Sequence, residues 1–226
     1  MKKLVLATAI TAALSFNPVF ADDDSDMMIY HVTITNATVN HKIAPPIIIA
    51  HEKGFQLFKL GDDTSPASME LATLAETGNP GPLANMLSMD SNVSAVVTGD
   101  ALIHGGVPYT VEIHAPKNTL FSVAAMLAST NDAFTAAMNI KAPKSNKHTH
   151  AMGMTFDAGS EMNNEDCAYV PGPPCTGMSG NANAPGEGFI SIHSGISGKA
   201  GIPAAMYDWR GPTSMISIHN DGKVQN

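Results

Sequence analysis

This 226-residue chain predicts an all-β fold, an antiparallel β-sandwich with one or two short helices. Alternating, β-branched segments recur between Gly, Pro and Asn signals. Only 14% of the residues are charged, against 19 glycines and 15 prolines, a balance that favours strands and turns. A single segment carries a complete helix signature with both a start and a stop.

Taken in order, MIYHVTITN (28–36) alternates and ends in Asn, which predicts a strand. PPIIIAHEKG (45–54) predicts a short apolar strand, and FQLFKLGDD (55–63) a second strand piece closing in a turn. Ser68 has the chemistry of a helix N-cap, Glu70 falls in the first turn, and Leu71, Leu74 and Ala75 share one face before Gly78 ends the helix. PLANMLSM (82–89) predicts a second helical turn opened by proline. SNVSAVVTGD, GVPYTVEIHAP and NTLFSVAAMLAST read as strands, the last despite its alanines, and GFISIHSGI (188–196) and TSMISIHND (213–221) complete the set. No internal repeat or composition break demands a second domain.

The first 21 residues combine two lysines, an apolar run too short to span a bilayer and a small-residue ending with Val19 and Ala21 before the expected cut. They predict a cleaved secretory signal. An acidic tail (22–27), one domain (28–221) and a short C-terminal tail (222–226) then follow. Removing Lys2 and Lys3 lowers the basic residues from 12 to 10 against 20 acids, a formal net charge of −10. Such a charge argues against nucleic acid and against simple binding to anionic lipid, and suits cations. No later apolar run is long enough for an integral membrane protein. The expected location is periplasmic or secreted, with an extracellular or periplasmic protein, glycan or lipid as partner.

Cys167 and Cys175 bracket the turn-rich AYVPGPP, and in an exported protein they predict an intraloop disulfide. Closing so short a loop stabilises by roughly 2.5 kcal/mol on the chain-entropy estimate. Just before it stands FDAGSEMNNEDC (156–167), with four carboxylates and two asparagines. It reads either as a solvated loop or as a set of oxygen ligands, and in the second case Asn163 to Asp166 is a solvated spacer, with Glu165 and Asp166 facing solvent. KHTHAMGM (147–154) offers His148, His150, Met152 and Met154, a donor set suited to copper if the segment is a flexible loop. The competing reading is ordinary: strand histidines bond to backbone, and methionines fill gaps in cores. His31, His51, His104, His114, His193 and His219 fall mostly on predicted strands, where they could converge. Trp209, the one tryptophan, reads as a core anchor or as a partner contact flanked by Asp208 and Arg210. No G-x-S-x-G elbow, H-E-x-x-H helix or phosphate-cradling loop is present, so the expected protein is not an enzyme.

Four segments in order, LASTNDAF (127–134), FDAGSE (156–161), EGFISIHSGISG (187–198) and YDWRGPTSMISIHN (207–220), resemble the spondin N-terminal domain. That family occurs in animal extracellular-matrix proteins and as single-domain exported bacterial proteins, and IIIAHEKGFQLFKLGDDTSPASMELATLAETG is similar to the bacterial branch. The resemblance covers roughly residues 28–220. It implies an antiparallel sandwich, C2-like in outline, with one calcium ion held by acidic end loops. Carried over residue by residue, the implied ligands are Asp132, Asp157 and Glu161. Animal members commonly have aspartate at the third position, where this chain has glutamate. Gly159 lets the backbone turn between Asp157 and Glu161, and a divalent ion would relieve the repulsion of three acids. The resemblance thus implies a non-catalytic calcium-binding module for adhesion or ligand binding. Copper binding through the His/Met segment, and calcium-dependent lipid or glycan binding, are the alternatives.

Overall fold

The computed structural model describes residues 27–178 and 185–224. The expected signal segment and nearly all of the acidic tail lie outside them. The elements are β1 (Met27–Asn36), β2 (Ile47–His51), α1 (Met69–Thr77), α2 (Gly81–Leu87), β3 (Val93–Thr98), β4 (Pro108–Pro116), β5 (Leu120–Met126), β6 (Ala133–Lys141), β7 (His148–Asp157), β8 (Ser191–Ile192), α3 (Ala204–Tyr207) and β9 (Ser214–Lys223). The protein is therefore mostly β with a few short helices. Among the described residues no helix is long and apolar enough to cross a membrane.

The strands do not form two separate facing sheets. They run β3-β2-β5-β6-β7-β9-β1-β4 through antiparallel pairings, with β8 added beside β7. The terminal strands β3 and β4 pack against each other, so the sheet curls almost into a barrel rather than a clear sandwich. β7 joins the halves. His148–Gly153 pair with β9, and Met154–Asp157 pair with β6.

Inside the curl, the inward residues of β1 (Tyr30, Val32, Ile34) meet Ile48, Phe121, Val123, Ile216 and Ile218. The Tyr30 and Phe121 rings meet edge to face at 4.9 Å. The outer face of β2, β5 and β6 is covered by the helices, with Leu71, Leu74, Leu83 and Leu87 against Ile47, Ile49, Ala124 and Phe134. This second layer explains why IIIAH and LFSVAAM lack alternation: β2 is buried on both faces, and so is nearly all of β5. Ser68 caps α1 by accepting from the Leu71 N–H at 3.1 Å, and Gly78 ends it in the left-handed region.

The elements depart from the sequence pattern in identifiable places. Residues 55–63 form irregular backbone and a turn rather than a strand, with Phe55 and Phe58 buried in the helix-covered layer. GFISIHSGI contributes only the two residues of β8. β6 and β7 were missed. The first is Ala-rich and doubly buried at its start; the second is a regular strand where a flexible loop was expected around His148. β1 begins at Met27 and β9 continues to Lys223, slightly beyond the domain limits read from the sequence.

Cavity formation at the interior contact should dominate the response to truncation. Phe121→Ala is expected to cost about 3–5 kcal/mol in urea unfolding, whereas Ser68→Ala, which removes only the cap, costs about 1 kcal/mol.

Candidate metal centre

Asp132 and Asp157 reach the same end of the curled sheet through register. Asp132 immediately precedes β6, Asp157 ends β7, and Ala133 faces Asp157 across the pair. Thr130 shapes the turn before β6, donating to the Leu127 carbonyl at 2.6 Å and accepting from the Ala133 N–H at 3.2 Å. The Ala158 N–H then donates to the Asp132 carbonyl at 3.2 Å, tying the two loops together.

All three acids taken from the family resemblance are buried here: Asp132 is 0%, Asp157 3% and Glu161 3% exposed. One Asp132 oxygen, Oδ2, accepts from the Ser160 N–H (2.8 Å), the Ser160 hydroxyl (3.1 Å) and the Glu161 N–H (2.9 Å). Its other oxygen, Oδ1, is buried with no hydrogen-bond partner. Asp157 Oδ1 accepts from the Gly159 N–H at 2.7 Å, and its Oδ2 accepts from the Asn163 side-chain amide. Gly159 has φ +67, and a Cβ there would strike the Phe189 backbone, so the turn that lets these donors converge requires glycine.

The electrostatics are those of like charges held out of water. Burial raises the Asp132 carboxyl above its ordinary value, and Glu187 adds to the rise. Asp157 is pushed up to about 7, first by burial, then by Asp132 and more weakly by Glu187. The charges that raise the pair, Glu187 on both and Asp132 on Asp157, are themselves carboxylates.

The segment 156–167 divides differently from the sequence reading. Asn163, taken there as a spacer, binds Asp157. Glu165, taken as solvent-facing, is 9% exposed and accepts from the Ser197 and Gly198 backbone N–H groups. Burial opposes its ionisation, but these hydrogen bonds hold its carboxyl below the usual range. Asp166 is exposed as expected. Cys167 and Cys175 are bonded to each other and pack with Val170, Ile196, Ile202 and Tyr207. Trp209 is half-buried on that cluster and on the interior core, with its ring 5.1 Å from those of His41 and His193.

The His/Met segment is not one site. His148, His150, Met152 and Met154 all point outward from β7, at every second position. Alternate strand residues stand about 6.6 Å apart, so four of them extend over roughly 20 Å and cannot surround one ion. Other strand histidines do converge. His31, His219 and Asp221 bring ligand atoms within 4.8 Å of one another; among the described residues, no other trio of His, Cys, Asp or Glu is so close, Asp132, Asp157 and Glu161 included. His51 is a satisfied core residue, held by Ser122 Oγ and the Glu52 carbonyl, and His104 is exposed.

No known family model matches this chain, and no curated protein is significantly similar to it.

The raised Asp157 carboxyl has a definite pH consequence in metal-free protein. A group whose folded pKa exceeds its unfolded value stabilises the fold fully below the unfolded value of 3.8, and that stability is lost as pH rises through about 7. In chelator, the melting temperature of the protein relative to Asp157→Asn should fall between pH 4.5 and 7.5 by roughly 5 °C or more. A pH-independent difference would show that Asp157 ionises normally.

Proposed function

We propose that the protein is an exported, non-catalytic, spondin-like module in which one calcium ion steadies the loop end of the curled sheet. The observation that carries this reading is the buried Asp132 carboxylate. It lies beside Asp157 with one oxygen engaged by three donors and the other without one, and the charges that raise the two acids are carboxylates. An uncompensated pair of buried carboxylates is costly. A hard divalent ion that prefers carboxylate and carbonyl oxygens removes that cost. Asp132 and Asp157 would hold it, and Glu161 would join them by a shift of its side chain on binding.

The disulfide supports an oxidising compartment, periplasmic or extracellular. The role that follows is adhesion or ligand binding: the ion orders the loops around residues 159–165 and 186–198, and these present a surface to a protein, glycan or lipid. Lipid or glycan recognition rests on analogy with other calcium-loop folds alone. Arrays probed with and without chelator distinguish these partner classes from a protein ligand.

Calcium at 100 times its dissociation constant adds about 2.7 kcal/mol to folding. In a domain of this size that is a rise of roughly 5–10 °C in melting temperature. Asp132→Asn and Asp157→Asn should abolish the rise, and Glu161→Gln should reduce it. Absence of binding at millimolar calcium, with an Asp157→Ala variant indistinguishable from the parent, would falsify the assignment.

A further inference from the structure

A second cluster lies on the outer face of the sheet. Register places Glu112 of β4, His31 of β1, His219 of β9 and His148 of β7 in one row, each the cross-strand partner of the next. All four face outward and remain accessible. Side chains directly opposite each other have Cβ atoms about 4.5–5.5 Å apart, close enough to share one ligand.

A bulge brings in the carboxylate. Asn220 pairs with Tyr30 and Gly222 pairs with Ile29, which leaves Asp221 as the extra residue of β9. Gly222 takes φ +106, and its N–H donates to the Asn220 side-chain oxygen at 2.9 Å, fixing the distortion. Bulges commonly re-aim a side chain, and here Asp221 turns toward the histidine row. One of its oxygens lies 2.9 Å from His31 Nδ1 and the other 2.6 Å from His219 Nδ1.

His31 has a carboxylate at each ring nitrogen, Asp221 at Nδ1 and Glu112 at Nε2 (3.3 Å). A neutral imidazole has only one N–H. With the proton on Nε2 toward Glu112, the Nδ1 lone pair faces the Asp221 carboxylate, an arrangement that calls for a cation between them. Glu112 then fills the supporting role of a carboxylate behind a metal-bound histidine, fixing its tautomer and raising its basicity. His114 in turn bonds Glu112 Oε1 at 2.9 Å. The His148 ring stacks on His219 at 4.4 Å, leaving a further imidazole beside the group.

We infer that His31, His219 and Asp221 form a binding site for a divalent first-row transition metal of the zinc or copper type, oriented by Glu112. Two imidazoles and a carboxylate suit these ions and are poor ligands for calcium. The site is independent of the buried acids, which lie off the opposite end of β7, so the two assignments stand or fall separately.

The test is a titration of the purified protein with zinc and with copper(II), both in excess calcium, followed by calorimetry. Copper electron paramagnetic resonance reports nitrogen coordination. One ion per chain and hyperfine structure from at least two imidazoles are expected. Both signals should disappear in His31→Ala/His219→Ala, and affinity should fall about 10- to 100-fold in Glu112→Gln. Asp157→Asn and His150→Ala should leave metal affinity unchanged. All these side chains except Asp157 are at least partly exposed, so the fold survives their loss. Failure of the parent to take up either metal would show a network holding protons only. Retention of uptake in the double histidine variant would place the metal elsewhere, and either result overturns the inference.

Discussion

The handover of β7 from one neighbour to another sets the architecture. At Gly153 the strand stops pairing with β9, and from Met154 onward it pairs with β6. A side chain at position 153 would collide with Ser214 Oγ and Thr135 Oγ1, which bond to each other at 2.8 Å across the junction. A glycine there leaves room for the hydroxyl pair where β7 passes from β9 to β6. The interior built around Tyr30 and Phe121 depends on that handover, since it brings β1 and β9 over β2 and β5.

The two proposed ion sites rest on opposite physical strategies. At the acidic end, burial raises the energy of the empty state, and backbone N–H groups from Gly159, Ser160 and Glu161 hold the carboxylates in place. Preorganisation there costs stability in the absence of a ligand. On the outer face, His31 and His219 are about one-third exposed and Asp221 somewhat more, so water reaches all three. Cross-strand spacing, rather than desolvation, supplies the convergence. The donor chemistry on offer divides accordingly into hard carboxylate oxygens in the interior and imidazoles at the surface.

Much of the fold was legible because its signals are local. Ser68 and Gly78 bound α1, and period-2 alternation in MIYHVTITN and TSMISIHND marks β1 and β9. What escaped depends on neighbours distant in sequence. β6 does not alternate because helices cover its outer side, and the curl of the sheet follows from pairing choices that no single segment encodes. Asp157 and Glu161 stood out in an acidic segment, whereas nothing local joined Asp132 to them. Asn163 stood two residues beyond Glu161 in plain view, yet nothing in its spacing marks an amide that bonds an aspartate. The histidine row was half visible: alternation puts His31 and His219 on outward positions. The register that aligns them, and the bulge that turns Asp221 toward them, appear only once the strands are paired.

β7 also ties the two ends of the molecule to a single alignment. His148 occupies an outward position near one end, and Asp157 an inward one at the other, nine residues away and of opposite parity. A strand displaced by one residue during folding would turn every side chain to the other face. Such an error would bury an imidazole at one end and expose a carboxylate at the other in the same step. Faulty copies would therefore be wrong at both ends together.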